Sequence, residues 1–132
     1  MHRLLALLLL ALAGPAAAQS SATVSTSGLG KGRASASVTV AFGMATRINR
    51  MALTPVAIVE DSRCPPNVNC VWAGRLVVEF RERPGGKLRL ELGRPVTTRG
   101  GRLTLVNANG PGPAGTRMLP REYRFQLRFE RP

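Results

Sequence analysis

Alternation of apolar and polar residues is the feature that most limits the possible folds of this chain. It is clearest in "EYRFQLRFE" (122–130), whose apolar positions are Tyr123, Phe125, Leu127 and Phe129. Successive side chains of a β-strand point to opposite faces, so a period of two predicts a strand with one buried face. After residue 18 no segment keeps the period of about 3.6 residues that a helix requires. The folded part is therefore expected to be all-β.

Further strands are predicted between Gly- and Pro-rich turns, over residues 37–42, 45–49, 51–61, 75–83, 87–92 and 102–108. The segment 51–61 is apolar on both faces, which favours a position inside a sheet, although Pro55 removes one backbone donor. Turns are predicted at 84–86 and 97–101. About six to eight strands in about 100 residues predict one domain, 35–132, folded as an antiparallel β-sandwich (Ig-like) or a partly open barrel.

The N-terminus has the three parts of a secretory signal peptide. A basic start precedes an apolar run at 4–13, and Ala16–Ala18 supply the small residues of a cleavage site. The run is shorter than the ~20 residues that span a bilayer. We therefore expect a signal peptide at 1–18, a flexible Ser/Gly-rich leader at 19–34, and export to the periplasm or beyond. No cysteine stands near the cleavage site, so no lipid anchor and no transmembrane segment after cleavage are expected.

Both cysteines lie in one segment, "EDSRCPPNVNCVWAG" (60–74), with the only tryptophan and the only aspartate of the chain. An oxidising compartment favours a disulfide between Cys64 and Cys70, and the alternative is two free thiols. Two cysteines are too few for a structural zinc site. The bridge would fix the shape of the candidate binding loop, which consists of Pro65, Pro66, Asn67, Val68 and Asn69.

Trp72 is interpreted as a core residue beside the disulfide. If the following strand begins near Cys70, then Trp72 and Gly74 share the inward parity of Leu76 and Phe80. The alternative is an exposed aromatic that binds a partner.

The polar residues before the first cysteine are expected to be structural. Asp61 and Ser62 can accept hydrogen bonds from loop amides that have no strand partner. A calcium site formed by Asp61 and Glu60 is the alternative. Arg63 is expected to form an exposed ion pair with one of these carboxylates, which would add little stability.

The chain is strongly basic, with a formal net charge of +12. Nucleic acid is nevertheless not expected as a partner, because the chain is exported, the arginines are dispersed and aromatic residues for base stacking are few. Most of the arginines are expected on the solvent face of strands. Attraction to an anionic envelope surface is the physically plausible alternative.

The residue types that remain after signal cleavage exclude several chemistries. The only histidine is His2, so the mature chain has no imidazole for nucleophilic catalysis or for metal ligation. The carboxylates are scattered, and no Gly-rich loop precedes a helix. We expect no enzymatic activity, no catalytic residues, no metal and no cofactor.

The segment with the cysteines resembles a motif of small exported bacterial proteins and lipoproteins of unknown function. The motif reads D-S-R-C-P, a short gap, then C-V/I-W-A-G, and here spans Asp61 to Gly74. The resemblance extends over about residues 45–130, with an apolar strand before the motif and a Tyr-bearing strand at the end. It implies an exported envelope protein and implies no chemistry. Many members have a lipid-bearing cysteine, which this chain lacks.

Two functional hypotheses follow. The first is a non-enzymatic, monomeric β-sandwich module of the cell envelope that binds a protein or another envelope component. The second is a secreted protease inhibitor that uses the disulfide-closed loop 64–70, because a loop fixed in advance loses little entropy on binding.

The export hypothesis predicts that the mature chain begins at Gln19 and carries no lipid. The intact mass of the exported protein measures both properties. Retention of residues 1–18, or an added acyl mass, would contradict it.

Overall fold

The computed structural model describes residues 34–132; the predicted signal peptide and almost all of the predicted leader lie outside this range. Within it the chain forms eight strands and one short 3-10 helix. The strands are β1 (Ser35–Ala41), β2 (Thr46–Ile48), β3 (Met51–Asp61), β4 (Leu76–Arg83), β5 (Gly86–Glu91), β6 (Pro95–Thr98), β7 (Gly101–Ala108) and β8 (Arg124–Glu130), and the 3-10 helix is Pro120–Glu122.

The strands form two four-stranded antiparallel sheets, with the orders β1-β8-β7-β6 and β2-β3-β4-β5. At one edge the sheets come together, where Leu92 and Leu105 form an isolated bridge and the amide of Gly93 donates to the Leu105 carbonyl at 2.8 Å. The architecture is a partly open β-sandwich. The prediction of an all-β antiparallel fold is confirmed.

The core lies between the two sheets and is built from alternate strand positions. Phe125, Leu127 and Phe129 of β8 are buried, as their spacing predicts. The second sheet contributes Leu53, Val78, Phe80 and Leu90, all fully buried. The rings of Phe80 and Phe125 meet edge to face across the two sheets, with centroids 6.0 Å apart.

Strand β3 lies inside its sheet, between β2 and β4, as its apolar character predicts. Its pairing with β4 is interrupted by irregularities at Val56 and Val59. Pro55 directly precedes the first of these, which is a position where a missing backbone donor is tolerated. Since β2 pairs only with Met51–Leu53, the outer part of β3 extends beyond its neighbour.

One sequence prediction was wrong about strand boundaries. The pattern predicts a turn at 97–101, but Pro95–Thr98 form the edge strand β6, which pairs with β7 before the turn begins. A short strand that begins with proline and is followed closely by two glycines has too little alternation to be recognised. Strand β4 spans Leu76–Arg83, within one residue of its predicted bounds, so the condition that placed Trp72 in the core, a strand that begins near Cys70, is not met.

The connections gather at the two ends of the sandwich. At one end lie the segment between β3 and β4 (62–75) and the segment between β7 and β8 (109–123), which we name the clasp loop and the closing loop. At the other end lie the β2–β3, β4–β5 and β6–β7 turns. In residues 34–132 no helix has the length and apolar character needed to cross a bilayer.

Candidate functional site

The guanidinium of Arg63 joins the clasp loop to the closing loop. Its Nε and one Nη2 proton bind the two carboxylate oxygens of Asp61, at 2.8 and 2.7 Å. The other Nη2 proton goes to the carbonyl of Asn109 at 2.9 Å. The Nη1 group donates to the carbonyls of Ala108 and Gly110, at 3.1 and 2.9 Å. A guanidinium has five N–H donors, and all five are used here.

The Asp61 carboxylate is the second centre of this network. Besides Arg63, it accepts the hydroxyl proton of Tyr123 at 2.8 Å and the backbone amide of Arg63 at 3.3 Å. The Arg63 and Asp61 side chains are only 11% and 9% exposed. The prediction of an exposed, weak ion pair was therefore wrong. A bidentate pair of this kind is geometrically specific, and breaking it would leave a buried charge unpaired.

The network changes the acidity of both acidic groups in it. Burial raises the pKa of Asp61, but the hydrogen bonds from Arg63 and Tyr123 outweigh burial and leave that pKa below its ordinary value of 3.8. Burial and the hydrogen bond to Asp61 raise the pKa of Tyr123 from 10.0 to about 12. Asp61 is thus held as an anion and Tyr123 as a neutral donor.

The two ends of the clasp loop are hydrogen-bonded to each other where the loop leaves the sheet. The amide of Ser62 donates to the carbonyl of Arg75 at 2.9 Å, and the amide of Arg75 donates to Ser62 Oγ at 3.0 Å. The Arg75 guanidinium binds Glu60, and this hydrogen bond is the main reason why the pKa of Glu60 is lowered. Gly74 faces the Ser62 carbonyl so closely that a Cβ there would overlap it. Only glycine fits this position.

Farther from the sheet than the Ser62–Arg75 pairing, Cys64 and Cys70 form the predicted disulfide, with their Cα atoms 5.8 Å apart. Inside the ring the amide of Val68 donates to the Pro65 carbonyl at 3.3 Å, which closes a turn. Asn67 Oδ1 accepts the amide of Ala114 at 2.7 Å and so ties the ring to the closing loop. Among the residues named as a binding loop, Pro66, Asn67, Val68 and Asn69 are exposed and Pro65 is half-buried.

Trp72 does not lie in the core, and the interpretation of it as a core residue was wrong. Its exposed fraction is 67%, and that of the preceding Val71 is 91%. The inward parity of Leu76 and Phe80 is real, but it holds only within β4, which begins at Leu76. Before that residue the chain is not part of a strand, so the alternation of faces no longer applies. We name Val68, Val71 and Trp72 the tip of the clasp loop, because all three are exposed apolar residues.

Four carboxylates of the described residues are engaged in ion pairs. Asp61, Glu60, Glu79 and Glu91 are each engaged by an arginine or a lysine. Both oxygens of Asp61 are occupied by proton donors, so the alternative of a calcium site at Asp61 and Glu60 gains no support. Within residues 34–132 no group of three or more His, Cys, Asp or Glu side chains could hold a metal ion.

Two features of the site had no clear signal in the sequence. Tyr123 occupies an apolar position of the β8 pattern and is buried, yet its hydroxyl donates a hydrogen bond to Asp61.

The second feature is a groove of about 640 Å³ between the outer part of β3 and the closing loop, and its apolar lining includes Val56, Val59 and Met118. The closing loop is rich in Gly and Pro, so its position against β3 is set by tertiary contacts that no local pattern reveals.

Comparison of the chain with protein-family models, with curated proteins and with solved structures finds no match. The motif resemblance described above therefore stays a prediction.

The first prediction concerns the five hydrogen bonds of the Arg63 guanidinium, which we name the Arg63 clamp. Arg63→Ala should lower the free energy of unfolding by about 3–5 kcal/mol, because the Asp61 carboxylate stays buried without its partner. Arg63→Lys should rescue little, since an ammonium has three donors and cannot replace a planar fork. Denaturant melts measure both. Arg75→Ala is the matched control, because it breaks the exposed ion pair with Glu60, and it should have a far smaller effect. Equal losses in the two alanine variants would contradict the clamp.

The second prediction concerns pH. The lowered pKa of Asp61 means that its stabilising contribution is present above 3.8 and is lost as pH falls below that value. The raised pKa of Tyr123 means that stability is lost as pH rises from 10.0 to about 12, because the unfolded chain ionises first.

Tyr123 is the only tyrosine, so tyrosinate absorbance reports it alone. The absorbance should rise near pH 12 in the folded protein and near its ordinary value in denaturant. Tyr123→Phe and Asp61→Asn should flatten the alkaline and the acid limb of the stability profile, respectively. Titration of folded Tyr123 at its ordinary pKa would show that its bond to Asp61 is absent.

Proposed function

We propose that this protein is a non-enzymatic β-sandwich module of the cell envelope that binds a partner protein or another envelope component through the tip of the clasp loop. The observation that carries the proposal is the exposure of Trp72 and Val71 on a loop that the largely buried Arg63–Asp61 pair fixes, with every donor of the Arg63 guanidinium in a hydrogen bond.

Physical chemistry favours this arrangement for recognition. Tryptophan is among the residues that contribute most to protein interfaces, because it buries a large area with few rotatable bonds. Ordering a flexible loop on binding costs free energy, and a loop fixed beforehand avoids most of that cost. The disulfide, the Ser62–Arg75 pairing and the Arg63 clamp each fix the clasp loop independently of any partner.

Placement in the envelope is supported by the signal-peptide pattern at 1–18 and by the disulfide, which is stable in oxidising compartments. A role without catalysis is supported by two observations. The sequence has no histidine after His2, and Asp61, Glu60 and Glu79 are each ion-paired with an arginine or a lysine.

A secreted protease inhibitor is the second candidate, favoured by the disulfide-closed ring 64–70 with its exposed residues. The geometry of the ring supports it less well. The turn between Pro65 and Val68 is folded back, and Asn67 is bound to the closing loop. An inhibitory loop that enters a protease cleft has to present an extended, accessible backbone.

The third prediction separates recognition from packing. Trp72→Ala should change the free energy of unfolding by no more than ~0.5 kcal/mol, because the side chain is exposed. It should weaken binding to a partner isolated from envelope extract by more than about tenfold, as for a side chain at the centre of an interface. Titration calorimetry with the purified partner and circular dichroism melts measure the two effects.

Met44→Ala is the control, because Met44 is also exposed, at 62%, but lies outside the clasp loop. It should leave binding unchanged. A Trp72→Ala variant that unfolds more easily and binds normally would contradict the proposal. Submicromolar inhibition of a serine, cysteine or metalloprotease by the wild type would favour the inhibitor instead.

A further inference from the structure

The end of the sandwich opposite the clasp loop gathers arginines from four parts of the chain. Asn49, in the β2–β3 turn, accepts a hydrogen bond from Arg131 at 3.4 Å, and its side chain lies near Gly100 of the β6–β7 turn. The pairing of Ala52 with Arg83 brings the β4–β5 turn to the same end. We name the exposed arginines of this region the arginine end: Arg50, Arg83, Arg99, Arg102 and Arg131.

The charge of the arginine end is not neutralised from within. Among residues 34–132, none of its five arginines lies within 4.0 Å of a carboxylate oxygen. Glu82 and Glu130 are the acidic side chains of this region, and among the side chains five cations less two anions leave +3. The outer face of the β2-β3-β4-β5 sheet differs, because there Lys87 and Arg89 are both paired with Glu79.

The distribution of these arginines fits an extended partner better than a small one. They stand in or next to three turns and on the C-terminal segment, and the turns connect strands of both sheets. Arg102 and Arg131 also line an open depression of about 470 Å³ beside Gly100 and Gly101. A single small anion could reach only a few of the five, whereas a plane of anionic groups can approach all of them together.

We propose that the arginine end docks the protein onto a phospholipid bilayer surface rich in anionic headgroups. Guanidinium groups bind phosphate oxygens through paired hydrogen bonds. The attraction acts over about 10 Å at 0.1 M salt, while the strands hold the clasp tip roughly 20 Å away from the arginine end. Docking at this end would therefore leave Trp72 and Val71 in water. The inference is independent of the function proposed for the tip.

Cosedimentation with vesicles tests the docking surface. The exported chain should bind vesicles of equal parts phosphatidylglycerol and phosphatidylcholine, and should not bind pure phosphatidylcholine. Binding should weaken steeply as salt rises, because surface charges are screened. Arg50→Gln with Arg99→Gln should weaken binding about 25-fold, at about fivefold for each arginine at an anionic surface. Neither side chain has a hydrogen-bond partner among the described residues, so this double variant should stay folded.

The matched control removes the same charge from the opposite end. Arg117 and Arg121 are exposed residues of the closing loop, and Arg117→Gln with Arg121→Gln should weaken vesicle binding no more than about threefold through the change in net charge. An equal loss in both double variants would mean that only the net charge matters and would overturn the proposal. Binding that inorganic phosphate abolishes, but chloride of equal ionic strength does not, would indicate a discrete phosphate site and overturn it as well.

The only tryptophan reports the orientation. With the arginine end on the bilayer, Trp72 emission should not shift when vesicles are added, and an aqueous quencher should still reach the ring. A blue shift, with protection from the quencher, would place the clasp tip in the membrane and contradict the assigned surface. Failure of Trp72→Ala to affect partner binding would leave the vesicle result unchanged, so the two proposals fail separately.

Discussion

The five hydrogen bonds of the Arg63 guanidinium are the interaction on which the clasp end depends. The strands of the sandwich are held by backbone ladders and by a core of alternating apolar side chains. The two long loops at the clasp end have few such bonds between them. One planar side chain joins them, because it binds a carboxylate on one edge and backbone carbonyls on the other. Its charge is compensated by Asp61 at the end of β3, and Asp61 is in turn fixed by Tyr123, which directly precedes β8 of the other sheet.

Much of the fold follows from local patterns. The period of two placed the inward residues of β8 correctly, and it did so for Leu90 of β5 as well, because in those strands one face is buried and the other faces solvent. The bounds of β3 were predicted because its apolar run ends at acidic residues. β6 was missed because four residues that begin with proline carry no periodic signal. The disulfide could be predicted from export and spacing, since a bridge depends on compartment as much as on geometry.

The candidate site was only half predictable. The sequence showed that scarce residues are concentrated between 60 and 74, and it indicated a structural unit there. It could not show that Arg63 and Asp61 are largely buried while Trp72 is exposed. Parity arguments hold only within a strand, and β4 begins at Leu76, after Trp72 and Gly74. The burial of Arg63 could not be predicted, since the carbonyls that receive it come from a segment more than forty residues later in the chain.

The acceptors of Arg63 on the closing loop are main-chain oxygens, and this has an evolutionary consequence. The bonds to Ala108 and Asn109 need only a carbonyl, so the clamp places no demand on those two side chains, although the Asn109 side chain separately binds the Glu122 carbonyl and the Arg124 amide. Gly110 is the exception, because its φ is +73° and Met118 packs against its Cα. The clamp can therefore be inherited unchanged while exposed side chains of the closing loop vary, and related chains could differ at that surface without differing in how they fold.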